Sequence, residues 1–128
     1  MKTIAISACG RDLDACVEPR FGRTRFFVLV DPNTEDWESF DNMANISSLQ
    51  DVGILTAKNL TKNQAVKTVL TGHCGPKAFK ELKEAGVKVF LNAGGTVRFA
   101  LNKLLQGELQ ESAEPNVPIY QGNSSNRG

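Results

Sequence analysis

The hydrophobic pattern of this chain shifts between Phe40 and Ser48, from strand runs alone to helices alternating with strands, and that shift narrows the possible folds more than any other feature. Before it lie short β-type runs. Lys2–Ala8 ends at Cys9-Gly10, Phe26–Val30 is stopped by the turn signal Asp31-Pro32-Asn33, and Trp37–Phe40 completes a hairpin. After it helical segments alternate with strands. Ser48-Leu-Gln-Asp51 fits a capping box, and Leu49, Val52, Gly53, Thr56, Ala57 and Leu60 fall on one face of a helix. Ala65–Thr71 is a strand leading into Gly72-His73-Cys74-Gly75. Pro76 opens a helix that Gly86 stops. Val87–Leu91 is a strand, and Thr96 caps a helix whose face is Val97, Ala100, Leu101, Leu104 and Leu105, with Gly107 as its stop.

The resulting order, β-β-β-α-β-α-β-α, predicts an α/β fold with a five-stranded mixed sheet and helices on both faces. Right-handed crossovers place strand 4 parallel to strand 1, giving the order 3-2-1-4-5 with strand 2 antiparallel. This is the ribonuclease H-like three-layer architecture. The expected domain is residues 1–111. Residues 112–128 turn polar and read as a disordered tail.

Composition restricts the function. The chain has 128 residues, and 15 Lys+Arg against 14 Asp+Glu leave a formal charge of +1, which gives no reason to expect nucleic acid as a partner. No apolar run reaches the roughly 20 residues of a membrane span, and Met1-Lys2-Thr3 enters a strand directly, so the expectation is a cytoplasmic protein with no membrane partner. The 3 cysteines cannot form a closed disulfide set and are read as reduced thiols.

Strands 1 and 4 meet where the strand order reverses, and open α/β sheets bind ligands beyond the carboxyl ends of such strands. Cys9 and Gly10 follow the first strand; Gly72, His73, Cys74 and Gly75 follow the fourth. Gly75-Pro76 starts a helix whose first amides lack intrahelical partners, which attracts anions and favours a thiolate at Cys74. Asn92-Ala93-Gly94-Gly95-Thr96 repeats the design one strand over. Arg20 and Arg23 lie in a charged segment, Arg11–Arg23, that is expected to be mobile without ligand and able to fold over the site. His73 and Cys74 are the candidate metal ligands. Plainer readings stand beside these: Cys9 as a small residue under a loop, Cys16 as incidental, His73 as a hydrogen-bonded loop residue, Gly94-Gly95 as a turn, Arg20 and Arg23 as a solvated rim.

Enzyme readings find little support. Thr3–Ala8 and Ala65–Cys74 contain no acid, so the paired carboxylates of a two-metal nuclease are missing, and neither G-x-x-x-x-G-K-[ST] nor G-x-G-x-x-G occurs. A Cys74–His73 nucleophile pair lacks an acidic orienter.

Cys9-Gly-Arg-Asp-Leu-Asp14, Arg20-Phe-Gly-Arg23, Leu70-Thr-Gly-His-Cys-Gly-Pro-Lys-Ala-Phe79 and Ala85-Gly-Val-Lys-Val89 together resemble the dinitrogenase iron–molybdenum cofactor biosynthesis family, over roughly Met1–Leu109. The resemblance implies the ribonuclease H-like fold without nuclease activity. It also implies binding and carriage of an anionic iron–sulfur, iron–molybdenum or molybdenum–copper sulfide cluster or its precursor, in an anaerobe. The cluster's identity is open, and the isolated protein can be apo. The family attaches binding to the loop matching Gly72–Pro76 and to Arg20–Arg23. Expected partners are proteins that deliver or accept the cluster and a P-loop ATPase. The alternative is a binding module for a small anionic metabolite or a regulatory partner of such an ATPase.

Overall fold

The computed structural model describes residues 1–46 and 51–116. The strands are β1 (Ile4–Ala8), β2 (Phe26–Val30), β3 (Trp37–Asp41), β4 (Thr68–Leu70) and β5 (Lys88–Phe90). They form one five-stranded sheet in the order β3-β2-β1-β4-β5. β1 runs antiparallel to β2 and parallel to β4, with Ile6 opposite Val28 and Leu70. The fold class, strand order and direction are those the sequence pattern predicts.

The helices are α1 (Met43–Ile46), α2 (Val52–Lys58, continued by a π-turn over Asn59–Asn63), α3 (Pro76–Glu84) and α4 (Val97–Leu105). Strand alternation sorts the core into two layers. Ala5, Phe27, Val69 and Val89 face a cluster that includes Leu60 of the π-turn and Phe79 and Leu82 of α3. Ile4, Ile6, Val28 and Leu70 face Val97, Ala100 and Leu101 of α4. β1 is therefore buried on both faces, as the central strand of a three-layer fold must be.

Two expectations need correction at the start of α2. The short α1 was not anticipated. Asp51, expected inside the first turn, instead precedes the helix with φ 53°, a left-handed conformation tolerated by Asp. Ser48 and Leu49, the rest of that expected cap and face, lie outside the described residues. The stops at Gly86 and Gly107 and the Thr96 cap are found as expected; Thr96 Oγ1 accepts the Phe99 N–H at 3.0 Å.

The boundary at Glu111 falls too early. Ser112 donates its N–H to the Val89 carbonyl at 2.8 Å, and its hydroxyl accepts from Leu91 N–H. Asn116 is fastened to the Gly72–Cys74 loop. Residues 112–116 thus pack on the sheet edge; residues 117–128 of the expected tail lie outside the described part. Among the described residues, no helix is long and apolar enough to cross a membrane.

Candidate functional site

At the carboxyl edge of β1 and β4, the arm that leaves β1 returns across the loop after β4. His73 N–H donates to the Pro19 carbonyl, and Phe21 N–H donates to the His73 carbonyl at 3.0 Å. Gly72 permits this crossing, because a Cβ there would sit 2.7 Å from the Pro19 carbonyl oxygen. Ser7 Oγ, 2.7 Å from both the Glu18 carbonyl and Thr71 Oγ1, fixes the arm from beneath. Phe21 is buried and packs edge-on against Phe27, with centroids 5.6 Å apart. The segment Arg11–Arg23, expected to be mobile without ligand, makes backbone hydrogen bonds to the rest of the fold at Leu13, at Ala15 to Pro19 and at Phe21. Its backbone carries the anchoring, which side-chain polarity does not reveal.

The arm ends in a 3-10 turn, Phe21–Arg23, that packs beside α2, which in turn packs on α3. A cavity of about 430 Å³ opens between these three elements. Its wall is formed by Gly22, Gly53, Ile54, Pro76 and Ala78, with Lys77 and Asp51 at the mouth. The elements approach closely because glycines stand at the crossings. A Cβ on Gly22 would meet the Gly53 backbone at 3.4 Å, and one on Gly53 would meet Ala78 Cβ at 3.1 Å. Gly75 is the N-cap of α3 and contributes no side-chain cap; Pro76 has no N–H to satisfy. Among the described residues, the Lys77 and Ala78 amides have no acceptor, so the helix presents donors and the positive end of its dipole to this cavity. Lys77 Nζ lies 3.8 Å from the Asp51 carboxylate, an exposed pair of small energetic weight.

The second helix N-terminus is different. Val97 N–H donates to the Ala15 carbonyl at 2.9 Å, Arg98 N–H to the Leu13 carbonyl at 2.8 Å, and Phe99 N–H to Thr96. The first amides of α4 are thus occupied by the chain's own loop. Gly94 and Gly95 do not join the cavity. Gly94 borders a separate hollow under Phe99, and Gly95 accepts the Val17 N–H through its carbonyl.

The cysteines also depart from expectation. Cys9 and Cys16 form a disulfide, with Cα atoms 5.4 Å apart, so Cys16 is not incidental and these two are not reduced thiols. The pairing arises because the chain after Cys16 folds back beside the extension of β1, with Ala8 opposite Val17. Gly10 lies inside the loop that the disulfide closes. Cys74 is 1% exposed and packed in the core cluster on the α3 side. Burial pushes its thiol up to about 12, opposite to the thiolate expected at a helix N-terminus. Its backbone N–H is taken by Asn116 Oδ1 at 2.9 Å.

Of the expected site residues, then, the structure brings Gly75 and Pro76 into the cavity, with Gly22 of the Arg20–Arg23 segment. Arg20 and Arg23 are exposed and do not line it, Arg20 Nε lying 3.6 Å from Glu18. Gly72 is a crossing point. His73 is half-buried, and its Nδ1 is buried without a partner among the described residues. No group of three or more His, Cys, Asp or Glu side chains converges among the described residues. Asn116 was missed. Its Nδ2 donates to the Gly72 carbonyl at 3.0 Å and lies 3.2 Å from Asn92 Oδ1, linking the loops after β4 and β5. Nothing in the sequence near Asn116 signals this. Gly53 was legible only as a helix position, whereas Ala78 was legible through its place among the open first amides of the helix that Pro76 starts.

The geometry defines a class: a three-layer α/β domain with an open helix N-terminus facing a small apolar cavity and no converging set of protein ligands among the described residues. Residues 2–107 match the family described as dinitrogenase iron-molybdenum cofactor, and the chain belongs to that family. It is similar to the apo form of the orange protein from Desulfovibrio gigas, with 42% identity, a TM-score of 0.87, and coverage of 91% of this chain and 98% of that one. A Thermotoga protein of the DUF35 family shows 32% identity and a TM-score of 0.74, covering 87% of this chain and 93% of its own. An uncharacterized protein of Methanocaldococcus jannaschii is 24% identical over 97 residues, 74% of this chain and 81% of that protein.

Proposed function

We propose that this chain is a carrier, not a catalyst, and that its cargo is an anionic metal–sulfur cluster, iron–sulfur, iron–molybdenum or molybdenum–copper, or a thiometallate precursor. The observation that carries the reading is the open start of α3. The Lys77 and Ala78 amides border a cavity walled mainly by Gly22, Gly53, Ile54 and Pro76, with the Asp51 carboxylate, 3.8 Å from Lys77 Nζ, also lining it. A sulfido cluster is large, polarisable and of low charge density. Apolar walls suit its sulfur surface, while helix amides donate to the sulfides and the helix dipole offsets the charge. Family membership points the same way.

The donor chemistry separates two modes of holding. Cys74 is a buried thiol, so it is set aside as a ligand. Non-covalent holding by amides, with Lys77, Arg20 and Arg23 supplying positive charge, fits the residues present. His73 does not line the cavity, so the reading does not rest on it. A cargo held this way can be handed to a delivery or acceptor protein without breaking metal–protein bonds. The absence of acids from β1 and β4 accords with carriage in place of hydrolysis.

The test is anaerobic loading with tetrathiomolybdate, with and without Cu(I), or with a preformed iron–sulfur cluster. It is followed by the visible spectrum and metal content after gel filtration. A coloured protein with stoichiometric metal supports the reading. A protein that stays colourless with every cargo, but whose melting temperature rises with inorganic phosphate, overturns it in favour of an anionic-metabolite module.

A further inference from the structure

Cys9 and Cys16 are both exposed, and their disulfide closes a loop, Gly10–Ala15, that has a definite task. The carbonyls of Leu13 and Ala15 occupy the first amides of α4, and Asp14 Oδ1 accepts from Arg98 Nε at 3.2 Å. The flanking chain is held independently of the sulfur bond. Cys9 N–H donates to the Cys16 carbonyl at 2.9 Å, Val17 N–H to the Gly95 carbonyl at 2.9 Å, and Glu18 N–H to the Ser7 carbonyl at 2.9 Å. Val17 is buried in the cluster under α4. The disulfide therefore does not hold layers of the core together. It lies outside the backbone ladder that does, at a surface where another thiolate can reach it.

We propose that Cys9–Cys16 is a site of reversible thiol–disulfide exchange whose state sets how firmly the loop plugs the start of α4. The partner is a dithiol of the cellular reductant class. Its thiolate attacks one sulfur, forming a mixed disulfide and releasing the other cysteine as a thiolate, which takes a proton. The partner's second thiol then displaces the first cysteine. Two electrons and two protons pass to this chain, and the partner leaves as its own disulfide. Opening is local: the ladder through Cys16, Val17 and Glu18 remains, while Asp12, Leu13 and Asp14, midway between the cysteines, lose their covalent constraint. Arg98, bonded to Leu13 and Asp14, is the α4 residue most affected. This site does not depend on the cargo assignment.

The experiment titrates the native protein in dithiothreitol redox buffers, with alkylation and mass spectrometry to count thiols and amide hydrogen exchange to read the loop. Two thiols are expected to appear together and reversibly while the circular dichroism spectrum is unchanged and Cys74 stays unlabelled. Exchange at Asp14, Ala15 and Arg98 is expected to speed at least fivefold, and that of β1 to stay constant. The Cys9→Ser/Cys16→Ser double variant should exchange like the reduced protein without any reductant. A disulfide that resists reduction until the chain unfolds, or a reduced protein and double variant that exchange like the oxidised parent, overturns the proposal.

Discussion

Helices α3 and α4 begin one strand apart on the same edge of the sheet, each after a glycine-bearing loop, yet their first turns have opposite fates. At α4, Thr96 caps Phe99 and the disulfide-closed loop supplies carbonyls to Val97 and Arg98. At α3 the cap is Gly75, the first residue is Pro76, and the Lys77 and Ala78 amides meet no acceptor among the described residues. Unsatisfied amides at a helix start weaken a fold, and side-chain caps typically contribute about 1 kcal/mol. A helix left uncapped beside an apolar cavity is a cost to stability that a ligand can offset. The capped helix is scaffold; the uncapped one is where binding has something to gain.

The contrast is most sharply tested by capping α3 artificially. Gly75→Asp places an acceptor at an N-cap where an added Cβ meets nothing within 4 Å. The substitution should raise stability by a few tenths of a kcal/mol, since glycine is a weaker cap than aspartate. It should also weaken thiometallate loading about a hundredfold, because the carboxylate competes for the same amides. Equilibrium denaturation and metal content read the two effects; a variant that loads like the parent would break the comparison.

Cys74 distinguishes holding by amides from holding by ligation. Cys74→Ala should load metal as the parent does. Its signature is alkaline instead. Burial holds the proton on this thiol up to about 12, against an ordinary value of 9.0, so above pH 9 the unfolded chain loses a proton that the native chain keeps. Stability should therefore be intact below pH 9 and fall by about 1.4 kcal/mol per pH unit between 9 and 12. In Cys74→Ala that slope should flatten in urea titrations across this range. Loss of metal in this variant would restore the cysteine as a ligand.

The smallest effect is expected at α4. Thr96→Ala removes the acceptor for Phe99 and should cost about 1 kcal/mol in denaturant titrations. It should leave thiometallate loading unchanged. A variant with weakened loading would mean that the second helix start shares the cargo.

Most of the fold was readable in advance because local patterns carry it. Short apolar β-type runs at Ile4–Ala8 and Phe26–Val30, helix stops at Gly86 and Gly107, and Pro76 at a helix start each have a local physical cause. The handedness of crossovers then leaves few topologies, and β1 beside β4 follows. The placement of Gly75 and Pro76 at the carboxyl edge of the sheet, after β4, was legible for the same reason.

What the sequence could not decide is which polar groups are already used. Whether the amides of α4 are open depends on where Leu13 and Ala15 lie, more than eighty residues earlier in the chain. Whether Cys74 is a thiolate depends on burial, which outweighs the helix dipole once the Sγ is surrounded by the core. Whether Cys9 meets Cys16 depends on a chain reversal that no spacing rule specifies, and Asn116 enters only because the segment after α4 returns along β5. Hydrogen-bond satisfaction and desolvation are properties of the assembled neighbourhood. Sequence determined the elements and their order, and only tertiary packing determined which of two similar helix ends remained available to a ligand.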